Sequence, residues 1–374
     1  WINTGTTVIN SQNYDTYIDG GAVLYVHEDI DQSGMGGFNE SRTITFNSPA
    51  TVTNFPVVIK LSDAAIIDAT QPGAPDLRFV DADGVTILPY EIERWDQGAN
   101  VAEVWVLVPE VASGSSDYIT MYFDDVVNGS ISDAQDPASL WVDYTNVYHM
   151  HDGGIDDGAA ADSTVYANDA SQSGTVDRMT RNVNPVWLPP SYWGVGRIAH
   201  FTGSDALTAP YDVSFNVSGS AWSATAWMET SGCSDWNSPV MDVLRRGNSG
   251  SQSWQFSSAN RGFFGNVNPI TVWIGGDDLS NLSSSPWSNQ SCGAYLWLVY
   301  DPAANPRVKV YLNGDDHVMT EINSYNIENL QDLIMGGTGE SEALYLDEVR
   351  HGKTAPSANY INLSYENQRS GSSF

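Results

Sequence analysis

Cysteine is almost missing from this chain. Cys233 and Cys292 are the two among 374 residues, too few for a disulfide scaffold. Each stands beside a strand-like run, so either one bridge ties neighbouring loops in an oxidising compartment or both remain buried thiols. Basic residues are scarce too: 15 Lys and Arg against 46 Asp and Glu leave a net charge of −31. That argues against nucleic acid and anionic membranes as partners. It suits a solvated extracellular surface, with cations held at carboxylate clusters. No apolar run approaches the roughly 18 residues of a membrane helix. G-x-S-x-G, a phosphate-cradling glycine loop and any cofactor fingerprint are also absent. The chain opens on Trp1, as a processed product would, and its end, RSGSSF, is linker-like and compatible with an anchor beyond Phe374.

What is abundant is Ser, Thr, Asn, Asp, Gly, Trp and Tyr, types that strands and turns favour over long helices. The expected fold is all-β: two β-sandwich domains behind an N-terminal extension. Residues 1–38 form that extension, where AVLYV (22–26) is apolar on both faces. It is either an extra strand of its own domain or a donor strand completing a neighbouring subunit. Residues 39–132 form the first sandwich, with strands expected in RTITF, FPVVIKL, LRFV, ILPYEIERW, AEVWVLV and DYITMYF and a hairpin turn at DADG (81–84). After a short polar joint, residues 133–374 form the second sandwich. Its closing stretch places Leu344 and Leu346 on one strand face and Tyr345, Asp347 and Val349 on the other. A carboxylate among these apolar neighbours means that either the strand closes the sandwich at its rim, where Asp347 reaches backbone amides or a cation, or this register is wrong. Tyr360, Ile361, Leu363 and Tyr365 then pack back as the last of the closing strands.

The run DLRFVDADGVTILPYEIERWD, followed by AEVWVLVPEV and YITMYF, resembles a β-sandwich domain of unknown function recurrent in bacterial surface and secreted proteins, over residues 40–125. That family commonly stands directly before a LamG-like, concanavalin A-like sandwich. Some members precede membrane proton-channel proteins of the MotA/TolQ type. From Leu140 on, LWVDYTNVYHMHDGG, GVGRIAHFTGSDALTAP, WSATAWMET, AYLWLVYDPAANPRVKVYLNGDDHV (paired strands with an Asn-Gly turn) and the closing LIMGGTGESEALYLDEVRHGKTAPSANYINLSYENQ resemble a LamG-like jelly roll in chain order. The resemblance implies an extracellular, cell-surface or periplasmic bacterial protein working by adhesion and assembly rather than catalysis. Its partners would be copies of itself, surface glycans or surface proteins. The ectodomain of a MotA/TolQ-type motor or channel protein and a glycan-active enzyme are the alternatives.

Two loops are longer than the family's turns need, NVNPVWLPPSYWGVG and the span 233–292, and loops are where binding resides. Trp187, Tyr192, Trp193, Trp236 and Trp287 in them can stack on sugar faces, form a protein interface or pack internally. Asp347 with Asp152 and Asp162 can hold the structural calcium that LamG-like domains commonly carry; otherwise Asp347 accepts backbone amides. His149 and His151, with Asp152, have a spacing that zinc sites use, set against ordinary packing. Glu91 and Glu93 share a strand face roughly 7 Å apart, a separation glycosidases use for their two carboxylates. The structural alternative pairs them with Arg78 or Arg94. The E-x-D-x-x-E run of concanavalin A-like glycanases does not occur in residues 140–374.

Overall fold

The computed structural model describes residues 37–125, 134–150, 159–180, 196–216, 219–230, 241–247, 254–258, 270–274, 277–278, 293–318, 331–337, 340–369 and 374. The extra or donor strand expected before residue 37 lies outside them. Among the described residues no helix is long and apolar enough to cross a membrane.

The chain is all-β, with two sandwiches in sequence. In the first, one antiparallel sheet runs Phe38–Thr45, Tyr118–Asp125, Arg78–Asp81 and the other Val52–Leu61, Val101–Val111, Tyr90–Asp96. Phe55, Val57, Phe79, Val106 and Met121 from both sheets meet in one core. The DADG turn forms as expected, with Gly84 at φ +75°, a conformation glycine reaches without the penalty a Cβ carries. AEVWVLV is apolar at nearly every position because its strand is buried on both faces. Val104, Val106 and Val108 enter the first core, while Trp105 faces away and packs with Leu140, Trp141 and Val147.

The polar joint is a short helix, Pro137–Leu140, capped by the Asp136 side chain accepting the Ser139 amide. The second sandwich has two eight-stranded sheets. One runs Asp177–Thr180, Arg197–Gly203, Glu340–Gly352, Trp222–Thr230, Gly293–Tyr300, Val308–Leu312, Asp315–Val318, with Tyr144–Tyr148 also paired to Glu340–Gly352. The facing sheet runs Asp277–Asp278, Ile270–Ile274, Trp254–Ser258, Met241–Arg246, Leu333–Gly336, Ala206–Ala209, Ala170–Ser173, Ala159–Ala160. Leu207, Leu244 and Met335 of this sheet share a core with Phe201, Leu296 and Leu346 of the other. Asn313 and Gly314, at φ 52° and 85°, make the expected Asn-Gly turn between two adjacent strands, the pair that a tight hairpin selects.

The close of the chain differs from the expectation in two ways. Strand Glu340–Gly352 is not at a rim. It runs inside the sheet, with Trp222–Thr230 on one side and, on the other, first Arg197–Gly203 and then Tyr144–Tyr148. Its register also slips at a bulge. Trp227 pairs with Asp347 and Thr225 with Arg350, so Glu348 and Val349 together oppose Ala226. The extra residue returns Val349 to the core face of Leu344 and Leu346 instead of leaving it beside Asp347. Asp347 is buried and accepts the Glu348 amide at 2.9 Å.

The second difference is that residues 358–368 form a helix, Ala358–Gln368, not a strand. Ser357 accepts the Tyr360 amide as its N-cap, and the buried residues Ile361, Leu363, Ser364, Asn367 and Gln368 recur at helical spacing. This helix lies between the sandwiches. Ile361 packs with Trp227, Tyr295 and Trp297 on the outer face of the second, and Leu363 joins the core of the first. Strand Val52–Leu61 is an edge strand, and Asn367 caps it: its side chain accepts from Val58 N–H at 2.8 Å and donates to Val58 C=O at 3.2 Å. Gln368 accepts from Trp227 Nε1 at 2.8 Å and donates to Tyr295 Oη at 2.9 Å. One helix thus bonds both units.

Candidate functional site

Strand Glu340–Gly352 changes neighbours between Leu346 and Val349, where the pairing with Arg197–Gly203 gives way to that with Tyr144–Tyr148. At this seam the bulge presents Glu348, and the residue just past Tyr148 is His149. The first sandwich faces the seam with Glu91 and Glu93 from Tyr90–Asp96 and with Glu103 and Trp105 from Val101–Val111. Glu348 holds φ +50° inside a sheet, a conformation costing a non-glycine residue on the order of 1 kcal/mol or more. The contacts it makes there offset that strain.

His149 Nδ1 lies 2.7 Å from Glu348 Oε1 and 3.7 Å from Glu93 Oε2, and its Nε2 lies 3.2 Å from Glu91 Oε2. Glu348 Oε2 accepts from Arg350, from Nε at 3.1 Å and from the guanidinium NH2 group. Glu93 Oε2 accepts Trp105 Nε1–H at 2.7 Å. Glu91 accepts Trp141 Nε1–H at 2.6 Å and the Ser163 hydroxyl at 2.6 Å. Aromatic rings seal the group: the Arg350 guanidinium stands 4.3 Å from the Trp105 ring and 4.6 Å from that of Trp141, and both indoles pack on His149. Gly196, at φ +56°, closes one side. A Cβ there would fall 1.6 Å from Glu93 Oε1.

Burial penalises every charge in this site, and the neighbours decide which survive. For His149, burial works against the proton, but Glu348 and Glu91 overcome it and hold the imidazole protonated well above the usual histidine range. Glu348 is penalised by burial, yet His149 and Arg350 pull its carboxyl down to about 2. Burial also opposes ionisation of Glu91, and His149 again reverses it, leaving the group below the usual range. Glu93 goes the other way, since burial and the nearby Glu348 charge raise it well above a normal glutamate. The result is an imidazolium between two carboxylates, a guanidinium on one of them, and a neutral glutamic acid beside them.

The sign of the pH dependence follows. The Glu348 contribution is present above its ordinary value of 4.5 and is lost as pH falls towards about 2. The His149 contribution is full below 6.5 and lost as pH rises through its raised value. Glu93, with a raised value, contributes below 4.5 and loses that contribution as pH rises. In protein stripped of metal ions, Glu93→Gln should therefore match the wild type at about pH 4 and exceed its stability increasingly towards about pH 8. Urea midpoints across that range check this; an offset that does not change with pH would sink it.

The sequence offers Glu91 and Glu93 as one pair and His149 apart from them, and the structure brings all three together. Arg78 donates to the carbonyls of Pro75 and Leu77, and Arg94 pairs with Asp96. The ionic partner of Glu91 is instead His149, from the second sandwich. Glu348, Arg350 and Trp105 belong to the site and were not anticipated. The hint was a charged triplet, Asp347, Glu348 and Arg350, inside an apolar strand. Asp162 is buried with its lone pairs taken by Val147 N, Thr164 N, Thr164 Oγ1 and Asn168 N, all at 2.9–3.0 Å. Among the described residues, the His and acid group close enough to hold an ion is Glu93, His149 and Glu348, which includes neither Asp347 nor Asp162. Asp152, His151, Trp187, Tyr192, Trp193, Trp236, Trp287, Cys233 and Cys292 lie outside the described residues.

A family model described as "Domain of unknown function (DUF2341)" matches residues 74–153. That stretch contains Glu91, Glu93, Glu103, Trp105, Trp141 and His149, while Glu348 and Arg350 come from beyond it. It also starts later and ends later than the resemblance over residues 40–125. A search of curated proteins finds no match. Solved structures with some similarity include one described as "Cell entry of botulinum neurotoxin type C is dependent upon interaction with two ganglioside molecules". It is 11% identical, over 62% of this chain and 52% of that one, at a TM-score of 0.41. Another is the binding domain of Paraclostridial Mosquitocidal Protein 1, 11% identical over 60% of this chain and 51% of that one, at a TM-score of 0.41. The chain thus spans about half the length of these structures, and likeness this remote assigns no function.

Proposed function

We propose that this is a non-catalytic bacterial surface or secreted protein that binds and assembles, with two sandwiches held as one block. The observation that carries this reading is the fate of its paired acids. Glu91 and Glu348 are committed to His149 and Arg350, and Glu93 is kept neutral, with Glu93 and Glu348 buried between the modules and Glu91 partly buried beside them. A glycosidase pair needs open access to a sugar and room for water; a side chain with no exposed surface such as Glu93 offers neither. The net charge of −31 and the family resemblance support an extracellular setting. The resemblance also supports a LamG-like identity for the second sandwich, with Trp187, Tyr192, Trp193, Trp236 and Trp287 as the gripping surface for glycans or proteins.

A glycan array tests this. Selective binding that falls at least about tenfold in Trp187→Ala or Trp193→Ala, a loss on the scale of one stacked ring, is the expected result. Polysaccharide turnover abolished by Glu91→Gln or Glu93→Gln would overturn the reading. Calcium at Asp347, Asp152 and Asp162, a Cys233–Cys292 bridge and filament assembly through the N-terminal strand belong to the same proposal. The calcium is its less favoured part, because Asp162 already accepts four protein hydrogen bonds. Deleting residues 1–30 should abolish polymers and leave both sandwiches folded; surviving polymers would remove the filament.

A further inference from the structure

We propose that Glu93, His149 and Glu348 form a zinc-class metal site buried at the joint between the two sandwiches. One donor atom from each lies within 4.8 Å of the others. Each residue also has one atom committed outward, which fixes its orientation. Glu348 gives Oε2 to Arg350, Glu93 gives Oε2 to Trp105, and His149 turns Nε2 to Glu91. Glu348 Oε1 and His149 Nδ1 remain, and the Glu93 oxygen that faces Nδ1 is Oε2, at 3.7 Å, so that oxygen would hold the ion while accepting Trp105 Nε1–H. Glu93 Oε1 is buried against Gly196 and has no hydrogen-bond partner among the described residues.

The outer contacts are those of a protein metal centre. A ligating imidazole ordinarily donates its second N–H to a carboxylate, which sets its tautomer and aim. Glu91 stands in that position and is itself fixed by Trp141 and Ser163. One imidazole nitrogen with two carboxylate oxygens suits zinc, whose bonds to such donors run about 2.0–2.2 Å. It does not suit calcium, which takes six to eight oxygens. Zinc would take the place of the hydrogen bond between His149 Nδ1 and Glu348 Oε1, now 2.7 Å, and the pair would open slightly to admit it. Binding would displace the Nδ1 proton and so tighten as pH rises.

The ligands come from both sandwiches, Glu93 from the first and His149 and Glu348 from the second, so the ion would bolt the modules together. This inference is independent of what the loops bind. The test uses the full chain, stripped by chelation and titrated with zinc chloride, calcium chloride as the contrast. The expected result is one zinc per chain and a raised melting temperature, neither reproduced by calcium and both lost in Glu93→Gln. Gln reproduces the neutral acid, so that variant should fold. A second measurement does not depend on any variant: cobalt(II) should broaden the indole N–H resonances of Trp105 and Trp141 selectively. No zinc uptake by the wild type, equal uptake by Glu93→Gln, or cobalt broadening that spares those two indoles would each overturn the proposal.

Discussion

Arg350→Met is expected to lower the unfolding free energy by about 3–5 kcal/mol, the usual cost of removing one partner from a buried ion pair. The guanidinium meets Glu348 Oε2 through two nitrogens at a site where neither side chain sees appreciable solvent. Methionine fills most of the volume but leaves the Glu348 carboxylate with His149 as its single cation. The stacking of the guanidinium on Trp105 and Trp141 is lost as well. Lysine should rescue little, since an ammonium cannot form the fork or lie flat between indoles. Urea midpoints followed by tryptophan fluorescence measure the effect, and a loss below about 1 kcal/mol, the scale of an exposed pair, would mean the cluster is not a fastening.

The second large effect belongs to the closing helix. Asn367→Leu is expected to strand Val58 N–H and C=O at the buried edge of Val52–Leu61, at about 1–3 kcal/mol for each unsatisfied group. Both bonds are directed at one residue of the first sandwich, while Gln368, next in sequence, holds the second. The variant should therefore weaken the joint more than either core. Unfolding should begin to separate into two steps, with Lys60, which donates to the Gln368 carbonyl at 2.6 Å, unable to hold the edge alone. Equal destabilisation of both steps without separation would contradict this.

The legible part of this chain is what local pattern encodes. DADG and Asn313–Gly314 announced their turns because a positive φ selects those residues. AEVWVLV is legible as a strand, while its burial on both faces is visible only once Trp105 is seen packed against Leu140 and Trp141. The final helix is hidden because Tyr360, Ile361, Leu363 and Tyr365 alternate closely enough to look extended. The available signal was Ser357, placed to cap the Tyr360 amide just after Pro356. The bulge was hidden for a different reason. One inserted residue shifts every later side chain to the opposite face, and Val349 moved into the core with it. The acid cluster could not be read at all from spacing: His149 and Glu348 lie 199 positions apart, and Glu91 meets them across a joint between modules. A single sequence shows that charges sit in apolar strands; it does not show which charge answers which.

Scanning calorimetry of the whole metal-free chain near pH 6 tests the account most directly, since there His149 is charged and Glu348 ionised by the shifts described above. A single cooperative transition that takes both sandwiches together is the predicted result. Two independent transitions in the wild type, unmoved by Arg350→Met, would contradict it.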